Sequence, residues 1–179
     1  MILSKAGNEF DVALEDCGQP LHRTETAILQ INVGKLCNLT CVHCHVNAGP
    51  KRREIMTGET VDQILEWFEK TNIPTLDMTG GTPEMIPDFR RLVKAVRSFD
   101  QPRRVMDRLN ATIINEPGFE WVPEFLAEHE VEIIASMPCY EPDNVNAQRG
   151  DGVFDRSIKA FQMLNELGYG RDPRLVLNF

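Results

Sequence analysis

The sequence predicts an α/β fold organised around a parallel β-sheet, and three observations point to it. A strand–loop–helix unit recurs four times along the chain. The strand segments are short, near-continuous apolar runs, as expected of parallel strands covered on both faces. The residue types able to do chemistry gather just after those strands, at the carboxyl ends where α/β folds place their sites.

Residues 1–26 are polar and irregular, with Gly18-Gln19-Pro20 as a turn signal. They read as a leader laid across a core domain that occupies residues 27–179. The first strand is the β-branched run Ala27 to Val33, ended by Gly34. Thr57-Gly58-Glu59-Thr60 opens a helix that reaches about Asn72, with Val61, Ile64, Leu65 and Phe68 on one face. Thr75 to Thr79 forms a second strand. The following helix, Pro87 to about Phe99, carries the apolar stripe Phe89, Leu92, Val93 and Val96. A third strand spans Arg103 to Asp107, and the apolar run Leu109 to Ile114 continues from its end. A third helix covers about Gly118 to Glu128, with Trp121, Phe125 and Leu126 inward.

Val131 to Ser136 is a fourth strand, and a loop runs from it to Gly150. The fourth helix spans about Phe154 to Leu167 and is stopped by Gly168 and Gly170. Arg174 to Phe179 opens a fifth strand. A strand that stops while still apolar leaves an unpaired edge, so the barrel is expected to be truncated after strand five.

The chain has 179 residues, enough for one domain with a core. A formal net charge of −8 and the lack of a basic stripe argue against a nucleic-acid partner. No apolar run is long enough to span a membrane. Five cysteines, three of them in one loop, do not resemble a disulfide framework and suggest a reducing cytoplasm.

Those three are Cys37, Cys41 and Cys44, within Cys-Asn-Leu-Thr-Cys-Val-His-Cys. Thiolates this close repel one another unless a metal neutralises them, and soft iron or zinc is the natural guest. Clusters that only carry electrons use four cysteines. Three thiolates on a four-iron cluster leave one iron open. A structural zinc site with His43 or His45 as fourth ligand is the alternative. Zinc knots usually present a second separated Cys-x-x-Cys pair, and none is found.

The Cys-x-x-x-Cys-x-x-Cys loop resembles that of the radical S-adenosylmethionine (SAM) enzymes. The resemblance implies a 4Fe-4S cluster held by Cys37, Cys41 and Cys44, SAM chelated at the open iron, and reductive cleavage to a 5′-deoxyadenosyl radical. His43 then stands where the family places an aromatic residue beside the adenine. Thr79-Gly80-Gly81-Thr82-Pro83-Glu84 matches the position of a Gly-Gly-Glu-Pro-like motif that holds the methionine ammonium. Gly80 and Gly81 would supply close backbone approach, with Thr82 or Glu84 in the polar role. Asn110 and Ser136 are candidates for the ribose hydroxyls. The motif after strand one favours a partial (β/α)6 TIM-like barrel over a flavodoxin-like open sheet, which the alternation alone leaves open.

From Leu29 to Gly170 the chain is similar to a narrower group, the radical SAM proteins of arsenosugar biosynthesis. The residues that carry this likeness are Leu29 to Gly34, Cys37 to Pro50, Thr79 to Glu84, Arg108 with Asn110, and Pro138-Cys139-Tyr140 to Gly152. It implies transfer of a 5′-deoxyadenosyl group to a trivalent methylated arsenical, with ferredoxin or flavodoxin as reductant. Cys139, just past strand four, is the candidate catalytic residue, as a thiol able to bind soft arsenic. A non-catalytic scaffold holding zinc or an inert iron–sulfur cluster is the other expectation. Cys17, His22 and His129 are assigned no role.

Overall fold

The computed structural model describes residues 9–18 and 24–179. The rest of the leader, including His22 and most of its expected turn, lies outside the described residues.

Five parallel strands pair in chain order: β1 (Ile28–Asn32), β2 (Thr75–Thr79), β3 (Arg104–Asp107), β4 (Glu132–Ile134) and β5 (Leu177–Asn178). Ile28 is registered with Thr75, Thr75 with Arg104, Met106 with Glu132 and Ile133 with Leu177. A doubly wound sheet reverses its strand order at a switch point, and this sheet does not. The sequential order is that of a partial TIM-like barrel. Helices α2 (Gly58–Glu69), α3 (Phe89–Arg97), α4 (Val122–Glu128) and α6 (Val153–Glu166) provide the crossovers.

One principal core lies between the sheet and these helices. Leu76, Met78, Val105 and Ile133 of the strands meet Phe68, Phe89, Leu92, Leu126 and Leu164 of the helices. Thr57 starts α2 by accepting a hydrogen bond from the Thr60 N–H. The alternate face of the strands is polar. Gln30 donates to Asp77 at 2.6 Å, and Arg108 grips the same carboxylate with two nitrogens at 3.0 and 2.8 Å. Arg104 pairs with Glu132, which also accepts from Asn178 at 2.9 Å.

Four local expectations are corrected. Helix α1 (Glu9–Asp16) stands in the leader read as irregular; Glu, Ala and Leu favour helix, and Glu9 and Asp11 suit its first turn. Residues Ala111–Asn115 form a 3₁₀ turn rather than continuing strand three. The loop before Gly150 contains α5 (Pro142–Arg149). Strand five is only Leu177–Asn178, because Arg174 is tied to Asp172 in the preceding turn.

Candidate functional site

The cysteine loop leaves β1 at Gly34 and is closed at its base by backbone pairing. Lys35 donates to the Glu54 carbonyl at 2.7 Å, Met56 to Val33 at 2.8 Å and Gly49 to Lys35 at 3.0 Å. Gly34 makes this closure possible: a Cβ there would sit 2.3 Å from the Glu54 carbonyl oxygen, and its φ is +137°. The tip of the loop is held from another element, since the Val42 N–H donates to Gln148 in α5 at 2.9 Å.

The end of β2 runs alongside the same segment. Gly81 donates to Gly34 at 2.9 Å and Thr82 to Leu36 at 2.8 Å. A Cβ on Gly81 would lie 2.2 Å from the Leu36 oxygen, and one on Gly80 2.6 Å from the Gly34 oxygen. The close approach that the two glycines permit is therefore to the strand feeding the cysteine loop. It sets Thr82 beside Cys37.

Cys37 is buried, while Cys41 and Cys44 are partly exposed. The Cys37 sulfur accepts from the Leu39 N–H at 3.4 Å and the Thr82 hydroxyl at 3.2 Å; the Cys44 sulfur accepts from Ala48 N–H at 3.3 Å. Asn38, which the sequence reading passed over, is the hub behind Cys37. Its carbonyl oxygen accepts from Asn110 at 2.7 Å and lies 3.2 Å from the Thr82 hydroxyl. Its amide donates to Thr112 at 3.0 Å.

Asn110 is buried, and its other end accepts from Arg149 at 2.7 Å and Thr112 at 3.1 Å. Arg149, in the helix the sequence hid, also donates to the Ser136 carbonyl. It is 4% exposed, and its Nε is buried without a partner. A buried cation is retained only with compensation, and this burial becomes visible only once α5 is packed; the polar stretch around Arg149 gives no signal of it. Ser136 and His43 are exposed. Thr82, Asn110, Arg149 and Ser136 thus form one network reaching from Cys37 to the end of β4.

Glu84 faces the other way, into the protein. It is 3% exposed and Asp107 is fully buried, and all four carboxyl oxygens receive no hydrogen bond from elsewhere in the chain. Burial, with the neighbouring Asp107 carboxyl, pushes the Glu84 acid well above the usual carboxylate range. Burial likewise raises Asp107, to about 7, against a hydrogen bond from Glu84 that lowers it. Two buried acids side by side each disfavour the other's charged form.

Two cavities lie at the carboxyl ends of the strands. One, of about 300 Å³, is lined by Gln30, Asn32, His45, Val46, Thr79 and Arg108. The other, of about 450 Å³, is apolar and includes Met137, Cys139, Tyr140, Phe154 and Phe161. Cys37, Leu39, Ala48, Val145 and Val153 form a small buried cluster, and Cys41, Cys44 and Cys139 pack against it. The Cys139 sulfur accepts from the Glu141 N–H at 3.5 Å.

The donor set fits an iron–sulfur cluster: three soft sulfurs, two of them already receiving backbone N–H groups. Among the described residues no three His, Cys, Asp or Glu side chains are gathered as ligands of one metal ion. A single zinc ion requires that convergence, whereas a four-iron cluster takes each thiolate on its own iron.

The model of the Radical SAM superfamily matches residues 31–178. The chain belongs to the radical SAM superfamily. Its cofactors are a 4Fe-4S cluster and SAM, as the cysteine loop led one to expect. Among curated relatives, a probable GTP 3′,8-cyclase of Thermoplasma volcanium is 25% identical over 140 residues, covering 78% of this chain and 41% of that protein. The mycofactocin maturase of Mycolicibacterium smegmatis is 28% identical over 134 residues, covering 74% of this chain and 33% of that one. The chain thus spans well under half the length of these relatives. Streptococcus suis SuiB bound to SAM superposes with a TM-score of 0.65 at 22% identity, over 80% of this chain and 32% of that structure. That likeness fixes the fold. Among the described residues no helix is long and apolar enough to cross a membrane.

Proposed function

We propose that this protein is a radical enzyme that delivers a 5′-deoxyadenosyl group to a trivalent methylated arsenical. Cys37, Cys41 and Cys44 hold the cluster, and a ferredoxin or flavodoxin supplies the electron. When bound, the cluster and SAM supply the reductive cleavage that generates the 5′-deoxyadenosyl radical. Gly80 and Gly81 bring the end of β2 against the cluster loop, where the methionine ammonium is held. Arg149 offers the half-satisfied guanidinium that suits the methionine carboxylate. Ser136 and His43 stand on the exposed rim, suited to the ribose and adenine, and Asn110 steadies Arg149 beneath them.

The observation that carries the arsenical reading is the placement of Cys139. Its thiol borders an apolar, aromatic cavity of about 450 Å³, and the residue packs, as Cys41 and Cys44 do, against the small buried cluster that includes Cys37. Trivalent arsenic is soft and binds thiolate, and its methyl groups favour an apolar wall. The same surroundings would suit other soft, apolar substrates poorly endowed with charge, so the test names the arsenical directly.

Anaerobic reconstitution with iron and sulfide, then electron paramagnetic resonance of the reduced protein with and without SAM, tests the first half. A cluster signal that changes on adding SAM is expected, and an unresponsive one refutes the open iron. Incubation with trivalent dimethylated arsenic and a reductant should give a 5′-deoxyadenosyl arsenical by mass spectrometry. Release of free 5′-deoxyadenosine alone, with Cys139→Ala equal to the parent protein, refutes the arsenical.

A further inference from the structure

We infer that Thr82 is a positioning residue for the ligand Cys37, tuning the cluster through its thiolate, and does not hold SAM. The inference rests on the reading that Cys37, Cys41 and Cys44 carry the cluster.

Thr82 is 1% exposed, and its hydroxyl has two acceptors in reach, the Cys37 sulfur at 3.2 Å and the Asn38 carbonyl oxygen at 3.2 Å. A hydroxyl has one proton to give. The Asn38 oxygen already accepts from Asn110 at 2.7 Å. Once Cys37 is a metal-bound thiolate, the charged acceptor is the stronger partner.

The backbone is built to put the hydroxyl there. The Gly81 and Thr82 N–H groups pair with Gly34 and Leu36, and the glycines allow a spacing that a Cβ would block at 2.2 Å from Leu36. Asn38 is in turn fixed by its bond to Thr112 at 3.0 Å. The three ligands are therefore unequal. Cys37 receives Leu39 N–H and the Thr82 hydroxyl, with the Asn110 amide at 4.0 Å; Cys44 receives Ala48 N–H. Hydrogen bonds to a ligating sulfur draw electron density from the iron and make the cluster easier to reduce.

The test is the midpoint potential of the reconstituted cluster without SAM, measured by spectroelectrochemistry in the parent protein, Thr82→Val and Thr82→Ser. The Val variant keeps the shape and removes the donor. Its potential should shift to a more negative value, and the Ser variant should restore it. SAM affinity, measured separately by the cofactor's effect on the resonance signal, should change less than twofold in Thr82→Ser. A Val variant that takes up less iron than the parent, with uptake restored in Thr82→Ser, supports the same role at the stage of ligation. Equal potentials in all three proteins overturn the inference, most clearly if Thr82→Val instead weakens SAM binding tenfold. A parent protein that takes up no cluster overturns the underlying ligand reading instead, and the two failures are thereby told apart.

Discussion

Asp107→Asn should make the protein more stable above neutral pH. Asp107 is fully buried beside the Glu84 carboxyl, with Asp77 as a further repelling charge. In the native state its acid is raised from 3.8 to about 7, chiefly by burial. The unfolded chain gives up that proton near the ordinary value, so the native state binds it more tightly between the two. The stability this contributes is complete below about pH 4 and is lost as pH rises to about 7. At about 1.4 kcal/mol per pH unit, the loss is roughly 4 kcal/mol, and because Glu84 is raised as well it belongs to the pair. Asparagine is close in shape and stays neutral. Its variant loses the share that Asp107 contributes, while the buried Glu84 still titrates, so it should decline less steeply than the parent through this window and exceed it by up to about 4 kcal/mol at alkaline pH.

Urea unfolding of the reduced protein, followed by tryptophan fluorescence from about pH 5 to about pH 8, measures both profiles. Carboxylates such as Asp172, held below their usual range by hydrogen bonds from Arg174, lose their contribution only in more acidic solution and do not mask the effect. A parent protein whose stability does not decline through this window would refute the reasoning. So would an asparagine variant no more stable than the parent at the alkaline end.

Other outcomes follow from the site. Gly81→Ala should destabilise by about 1–3 kcal/mol or more, because its Cβ would meet the Leu36 carbonyl at 2.2 Å; a thermal melt equal to the parent's refutes the contact. Arg149→Met should weaken SAM binding at least tenfold while iron content holds, since a charged hydrogen bond is worth about 1.5–3 kcal/mol; unchanged affinity by titration removes Arg149 from the site. Cys41→Ser should abolish SAM cleavage and leave the circular dichroism spectrum near that of the parent; an unfolded variant would point to a structural metal instead.

The strands and the cysteine loop were legible in the sequence because each has a local signature. Leu76, Met78 and Val105 belong to short apolar runs that are fully buried in the core, and the cysteine spacing survives without any knowledge of the fold. What escaped depends on partners distant in the chain. Helix α5 buries only Val145 and Arg149, so it lacks the apolar stripe by which a helix is read. The run Leu109 to Ile114 is apolar throughout, and such a run does not by itself distinguish strand from helical turn. Thr82 looked like part of a cofactor motif, yet its hydroxyl lies 3.2 Å from a sulfur 45 residues earlier. Glu84 read as a cofactor-binding candidate and Asp107 as a strand end, and only the packing shows the two buried side by side.

The fastening of Val42 to Gln148 has a consequence for how the protein is made. Cys37, Cys41 and Cys44 leave the ribosome early, but the carbonyl that secures the tip of their loop is about a hundred residues behind. Val145 and Val153, which wall the same cysteine cluster, emerge in that later stretch too. A nascent chain therefore presents three loosely held thiols to the cell for the time it takes to synthesise and fold the segment through α5. On the proposed ligand set, iron–sulfur delivery to a finished pocket would follow translation of this helix, with the thiols kept reduced until then.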